Sequence, residues 1–379
     1  MTAQAFFEQY GHPPQGEASA PGRVNLIGEF TDYNEGWVLP CALPFRTHVW
    51  WRRRDDSQLR VASQNYLGDV DRFDTPAGYT TGGPGWARYV RAVVAALGDA
   101  GYCCQGLDLL IDSNVPQGRG LSSSAALEVA LLGALSDAHN WQLDHHRIAR
   151  LGQQAENRYV GTQCGIMDQL VSASAEDGSA LLLDCRSLAT SQVALPEEWA
   201  LVILDSNHPR QLVDSAYNER RSDCEAASEA LGTPSLRDAS LSQLAACRDT
   251  LTDSQYVRAR HVIEENSRVQ ALVDALGKVD LDSAAAIMAA GHRSLAECFE
   301  VTVPATDALV QITRQALGDR VAARQTGGGF GGAVVCLCEH GDVESLLAAV
   351  AADYRHLTGL TATPFTCVPG DGLRRERYA

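Results

Sequence analysis

The sequence predicts an α+β protein of two domains that meet at a cleft. Its 379 residues are long for one hydrophobic core, since domains usually run about 100–200 residues. Between residues 18 and 185 short β-rich runs alternate with two longer helical patterns, whereas 209–317 is helical throughout and 321–368 alternates again. No internal repeat, low-complexity tract or long Pro/Gly/Ser linker interrupts the chain, so the halves should pack closely. We take them as 1–195 and 196–379, with SQVALPEEW as the connector and the cleft between them as the ligand site.

The expected elements follow in order. Strands are read at 49–51, 107–111 and 180–183, and helices over 86–97 and 121–139. Leu107, Leu109 and Ile111 alternate with Asp108 and Asp112 as in a half-buried strand. In the second half Val262, Val269, Val273 and Leu276 recur at spacings of seven, four and three, as one face of a helix requires. Strands at 321–325 and 333–338, a helix from 343 to about 354 and a last strand at 363–368 complete the chain.

Composition narrows the function. Hydrophobic residues make up 45% and charged residues 21%, the proportions of an ordinary globular protein. The formal net charge of −16 opposes binding to phosphate backbones and anionic lipid, so neither nucleic acid nor a membrane is an expected partner. The first 22 residues hold no Lys or Arg and no sustained apolar run. That lacks the pattern of a signal peptide, and a cytoplasmic location is expected. Eleven cysteines form no C-x-x-C pair and are read as reduced, mostly buried thiols. Lys278 is the single lysine, which excludes a P-loop and a protein-kinase lysine and leaves Schiff-base chemistry without context.

Four segments carry chemistry. GRVNLIGEFTDYN (22–34) interleaves an apolar core with Arg23, Asn25, Glu29, Asp32 and Tyr33, and sets the aromatic Phe30 among them. In VPQGRGLSSSAALEVALLGAL (115–135) a loop containing Gly118, Arg119 and Gly120 runs into strong helix formers, which puts Ser122, Ser123 and Ser124 in the helix's first turn. There, unpaired N–H groups and the positive end of the helix dipole suit a nucleotide's phosphates. Three serines that only cap a helix are the alternative. TGGGFGG (326–332) satisfies G-x-G-x-x-G at Gly327, Gly329 and Gly332, but a strand follows it where the dinucleotide fingerprint needs a helix. A Rossmann site is therefore rejected, and the glycines are read as backbone passing close to something, with the same cleft as the expected neighbour. In AENRYVGTQCGIMDQLVSA (155–173) Glu156 and Asp168 stand twelve apart across a loop. Each could reach a metal–phosphate centre, with a helix cap and a solvated charge as the alternatives.

These segments, in this order and spacing, resemble the galactokinases, members of the GHMP family of small-molecule kinases. The resemblance implies an N-terminal domain like domain 2 of ribosomal protein S5, a ferredoxin-like C-terminal domain, and an active site between them. It further implies ATP-dependent phosphorylation of the anomeric hydroxyl of D-galactose, with ATP and Mg²⁺ as cofactors; the sequence does not give the oligomeric state, and a monomer is the default expectation. Gly118 to Ser124 would wrap the phosphates, Ser124 and Glu156 would hold Mg²⁺, and Trp86 and Tyr89 would lie near the adenine. Asp168 would face the sugar's anomeric hydroxyl with Arg23 beside it, and Glu29, Asp32, Gly165 and Tyr217 would bind the sugar. Galactokinases usually carry histidine where this chain has Phe30, which removes one hydrogen-bonding group from the sugar site. Two alternatives stay open: a kinase for a related or 6-modified sugar, and a galactose- and ATP-binding regulator without catalysis.

Overall fold

The computed structural model describes residues 3–75, 82–209 and 213–378. A short helix α1 (Ala3–Tyr10) precedes β1 (Gly16–Asn25), β2 (Trp37–Val38), β3 (Pro40–Arg53), β4 (Gln58–Ser63) and β5 (Val70–Asp74). After these come α2 (Ala87–Asp99), β6 (Leu107–Ser113), α3 (Ser123–His139), α4 (His145–Ala155), α5 (Met167–Ser174), β7 (Ser179–Asp184) and β8 (Thr190–Ala194). The first sheet runs β5-β4-β6-β3-β1, with β7 joined to β3 and carrying β2 and β8. Among the described residues only β4 and β6 pair in parallel. Helices α2, α3 and α4 cover one face, packing Val93, Leu131, Leu135 and Ile148 on Val49, Leu107 and Leu109.

Strand β6 corrects the half-buried expectation. It lies inside the sheet, and α1 covers its other face through Phe6 against Trp50 and Leu110. Asp108 is 1% exposed because it is the shared anion of Arg60 (2.6 Å), His12 (3.1 Å) and Arg54 (3.2 Å).

The second half begins at β9 (Trp199–Asp205) and continues through α6 (Val213–Leu231), α7 (Leu241–Ala246), α8 (Asp253–Gly277), α9 (Leu281–Ser294) and α10 (Pro304–Leu317). It closes with β10 (Val321–Thr326), β11 (Ala333–Glu339), α11 (Val343–Thr358) and β12 (Thr363–Cys367), in an antiparallel sheet ordered β10-β11-β9-β12. Helices α10 and α11 bury Leu309, Ile312, Leu346 and Tyr354 on one face of it. The opposite face, through Leu201, Ile203, Val335 and Leu337, packs on Val269, Leu272 and Met288 of α8 and α9. Val24, Leu26, Leu39 and Leu121 of the first half belong to the same cluster, so the two halves share a core. In α8 Val262, Val269 and Leu276 are buried and Val273 partly so, as their spacing predicts.

Two elements depart from expectation. The SQVA of the expected connector lies in β8, paired with β7. The expected last strand is followed by β13 (Arg374–Arg377), which leaves the second sheet and pairs with β1. Six of the eleven cysteines are buried, and among the described residues no helix is long and apolar enough to cross a membrane.

Candidate active site

The site begins at an irregularity in β1. Its register on β3 shifts between Pro21 and Arg23, a bulge that bends the strand until the Arg23 amide donates to the Leu121 carbonyl at 3.1 Å. The Arg23 side chain, 5% exposed, then grips Asp168 with a two-pronged fork, Nε to Oδ1 and Nη2 to Oδ2 both at 2.7 Å. Its Nη1 donates to the Gly120 carbonyl, also at 2.7 Å. One guanidinium thus ties the glycine–serine loop to α5, in the geometry that makes arginine–carboxylate pairs rigid. Asp168 stands in the first turn of α5, whose cap position is Ile166; its carboxylate is engaged across the cleft instead of capping a helix.

Ser122 differs from expectation. It is the cap residue of α3, not part of the first turn, with a left-handed backbone (φ 56°) and no capping side-chain bond. Its hydroxyl instead donates to Asp168 Oδ2. Ser123 and Ser124 are the first two residues of α3, and both line the cleft with Gly118 and Gly120.

Across Asp168 lie the two carboxylates of the opening segment. The loop that carries them is pinned by Thr31 Oγ1, which sits 2.7 Å from the carbonyls of both Gly28 and Trp37 and donates its one hydrogen between them, and by Asn34 Nδ2 on the Phe30 carbonyl at 2.8 Å. Asp32 accepts from the Tyr33 amide at 3.0 Å. Desolvation and the neighbouring Asp168 charge push Asp32 up to about 6. Gly165 passes so close that a β-carbon there would lie 2.2 Å from Asp32 Oδ2, so only glycine fits. Glu29, 2% exposed, pairs with the fully buried Arg324 of β10. Burial pushes Glu29 up to about 7 against that arginine's pull.

Phe30 adopts φ 68°, a strained conformation for a bulky side chain. Packing sets it there: the ring stacks on Phe299 at 4.3 Å and lies 5.7 Å from Tyr217. Arg23, Glu29, Phe30, Asp32, Asp168 and Tyr217 all line one cavity of ≈ 280 Å³.

Glu156 is 8% exposed, which removes the solvated-charge alternative. It lines the same cavity as Ser124, and its Oε2 accepts from Gln169 Nε2 at 3.1 Å. A hydroxyl and a carboxylate beside a phosphate-type loop are hard oxygen donors, the set that Mg²⁺ takes together with phosphate oxygens. These residues fit that ion.

Gly118, Tyr89, Ser123 and Ser124 also line an adjoining cavity of ≈ 450 Å³ with Trp86. Trp86 stacks there on Tyr66, centroids 6.2 Å apart and planes 8° off parallel. Sequence reading missed Tyr66. Arg119 is turned away from both cavities and pairs with Asp205 at 3.2 Å, while Gly165 lines a pocket behind Asp32. The late glycine cluster does reach the cleft. Gly327 and Gly328 line it, and at Gly327 (φ 81°) a β-carbon would lie 2.8 Å from the Gly120 carbonyl. Also missed were Glu128, Gln169 and Arg324. Glu128 and Arg324 had a signal: each is a charge set beside apolar neighbours in its helix or strand run, and such a charge is buried only with a partner.

Comparison with known proteins agrees with this geometry. Residues 4–53 match the galactokinase galactose-binding signature, 88–176 the GHMP kinases N terminal domain and 272–356 the GHMP kinases C terminal domain. The Lactococcus lactis galactokinase, solved in complex with galactose, superposes with a TM-score of 0.93 at 33% identity over 98% of both chains. Methanococcus jannaschii mevalonate kinase shares the fold, with a TM-score of 0.66 at 16% identity over 94% of this chain and 98% of its own. Streptococcus pneumoniae phosphomevalonate kinase does so with a TM-score of 0.66 at 14% identity over 92% and 99%. With both GHMP domains, the galactose-binding signature and full-length likeness to a galactokinase in one chain, this protein belongs to the galactokinase branch of the GHMP kinase family.

Proposed function

We propose that the protein is an ATP-dependent galactose 1-kinase, converting D-galactose to α-D-galactose 1-phosphate and ADP. The observation that carries the reading is that one cavity joins the Arg23–Asp168 pair, the carboxylates of the galactose-binding segment and the serine end of α3. Asp32 and Glu29 accept sugar hydroxyls, Tyr217 and Phe30 wall the ring, and Gly165 leaves room for Asp32 to point inward. The amides of 118–124 hold phosphate oxygens, and Trp86 and Tyr89 border the base. The anomeric oxygen attacks the γ-phosphorus, the bond to the β-phosphate oxygen breaks, and the hydroxyl proton passes to Asp168 while ADP leaves. In a loose transition state the hydroxyl needs little activation beforehand, so orienting it and absorbing charge with Arg23 account for most of the rate. Mg²⁺ held by Ser124 and Glu156 would neutralise phosphate charge when bound. ADP release over a panel of free sugars tests the reading: galactose should lead the panel, and absence of turnover with every sugar would leave a binding protein instead.

A further inference from the structure

Behind the cleft lies a buried polar group that the reaction as described does not use. Glu128 and Gln169 are both fully buried, yet neither touches the cavity. Gln169 Nε2 stands between two carboxylates, 3.0 Å from Glu128 Oε2 and 3.1 Å from Glu156 Oε2. A primary amide nitrogen has two hydrogens, one for each carboxylate, and this fixes which way the amide faces. The slot is closed from the third side by α4, where a β-carbon on Gly152 would come within 3.1 Å of Gln169 Cγ and 3.5 Å of Glu128. Gln169 therefore has little room to swing. Its position in the chain adds to this. Gln169 follows Asp168 directly on α5, and Glu128 lies one turn beyond Ser124 on α3. The two helices that present Asp168 and Ser124 to the cleft thus also carry the amide that holds Glu156 from behind and the carboxyl group that braces this amide.

We infer that Gln169, braced by Glu128, is the positioning residue that aims the Glu156 carboxylate at the phosphate loop. The inference rests on the reading that Glu156 serves Mg²⁺. Outer partners of a metal-binding carboxylate fix its orientation, and their loss typically weakens metal affinity by about 10–100-fold. Because α5 holds Asp168 and Gln169 in consecutive positions, any shift of the helix moves the sugar-facing carboxylate and the metal-facing one together.

The test uses the full chain and calorimetric binding of ADP as a function of Mg²⁺, so that turnover is not the only readout. Gln169→Met keeps the side chain's length and removes both donors. It should raise the Mg²⁺ concentration needed for ADP binding by about tenfold, with ADP binding in EDTA and galactose binding unchanged. In a Glu156→Gln background the same replacement should add nothing, since the carboxylate it orients is gone. If the shift persists in that background, Gln169 acts only through packing and the inference falls. It also falls if Glu156→Gln shifts the Mg²⁺ requirement while Gln169→Met does not. A Glu156→Gln variant with unaltered Mg²⁺ dependence overturns the metal role of Glu156 itself, a separate outcome. Should the methionine variant melt early, Gln169→Asn keeps the donors one methylene short and should shift the requirement in the same direction.

Discussion

Asp168 is held by three donors from two elements, Arg23 through two nitrogens and Ser122 through its hydroxyl. Asp168→Asn is nearly isosteric but loses the charge and the proton acceptor, so phosphorylation should fall by at least about 10²-fold with the fold intact. Activity near the parent's would remove the catalytic assignment. Arg23→Lys should also be severely impaired, because an ammonium cannot reproduce a planar fork that also reaches the Gly120 carbonyl. Asp32 supplies a pH prediction. Its folded value of about 6 lies above the usual 3.8, so its folded form retains a proton that the unfolded chain has lost. Its contribution is present below about pH 4 and is lost as pH rises through about 6. Asp32→Asn should therefore stabilise the protein at pH 8, by up to ~3 kcal/mol, and leave it unchanged near pH 4. Denaturant midpoints at the two pH values decide this, and an equal gain at both would sink it. At Phe30 an apolar wall discriminates little against a missing hydroxyl. If the missing histidine served the sugar's outer end, 6-deoxygalactose should lose less kcat/KM relative to galactose in this protein than in Phe30→His. An unchanged ratio would make the aromatic purely structural, a role that its stacking on Phe299 at 4.3 Å could fill.

At the scale of elements, α3 and α5 do most of the positioning. The helix α3 could be read from SSSAALEVALLGAL because its formers are strong and its start is marked by glycines and serines. The left-handed Ser122 could not be read, since it depends on Asp168 arriving from 46 residues away in sequence. Ser124→Ala combined with Glu156→Gln should raise the Mg²⁺ needed for half-maximal turnover. EDTA should abolish turnover of the parent, and added Mg²⁺ should restore it. Metal-independent turnover would take both roles away.

For the whole molecule, the decisive feature is how the second half props the first. Arg324 on β10 pairs with Glu29 and, at 2.6 Å, with Glu265 of α8. Glu265 in turn accepts from the Gly28 amide at 3.1 Å and pairs with Arg268 at 2.6 Å. Although burial acts to raise it, Arg324 and the neighbouring positive groups hold Glu265 down to about 2. The segment that carries Glu29 therefore rests on charges from the second half of the chain. Removing one partner from such a group leaves a buried charge uncompensated, which costs about 3–5 kcal/mol. Arg324→Met should destabilise the protein by that order in chemical denaturation, and adding Glu29→Gln should recover part of the loss. If the double variant is no more stable than the single one, Glu29 is not the charge left stranded.

Several features were fixed by local chemistry and were legible in the sequence. The helical face of α8, the strands flanking TGGGFGG and the phosphate-type start of α3 follow from periodicity, turn residues and helix-end dipoles, which act over a few residues. Arg23, Glu29 and Asp32 were legible as polar groups crowded into one short segment, whereas Glu156 and Asp168 read equally well as a solvated charge and a helix cap until the resemblance to the galactokinases gave them roles. Only the tertiary structure decided which groups meet. The Arg23–Asp168 fork, the Ser122 hydroxyl turned to Asp168, the Gln169 amide between two carboxylates and Arg324 beneath Glu29 join residues 13 to 295 positions apart. The same holds for β6, where alternation suggested a wet face until α1 and the Asp108 ion cluster covered it. Burial and pairing depend on what the rest of the chain brings to a surface. That is a sum over long-range contacts that no local pattern encodes.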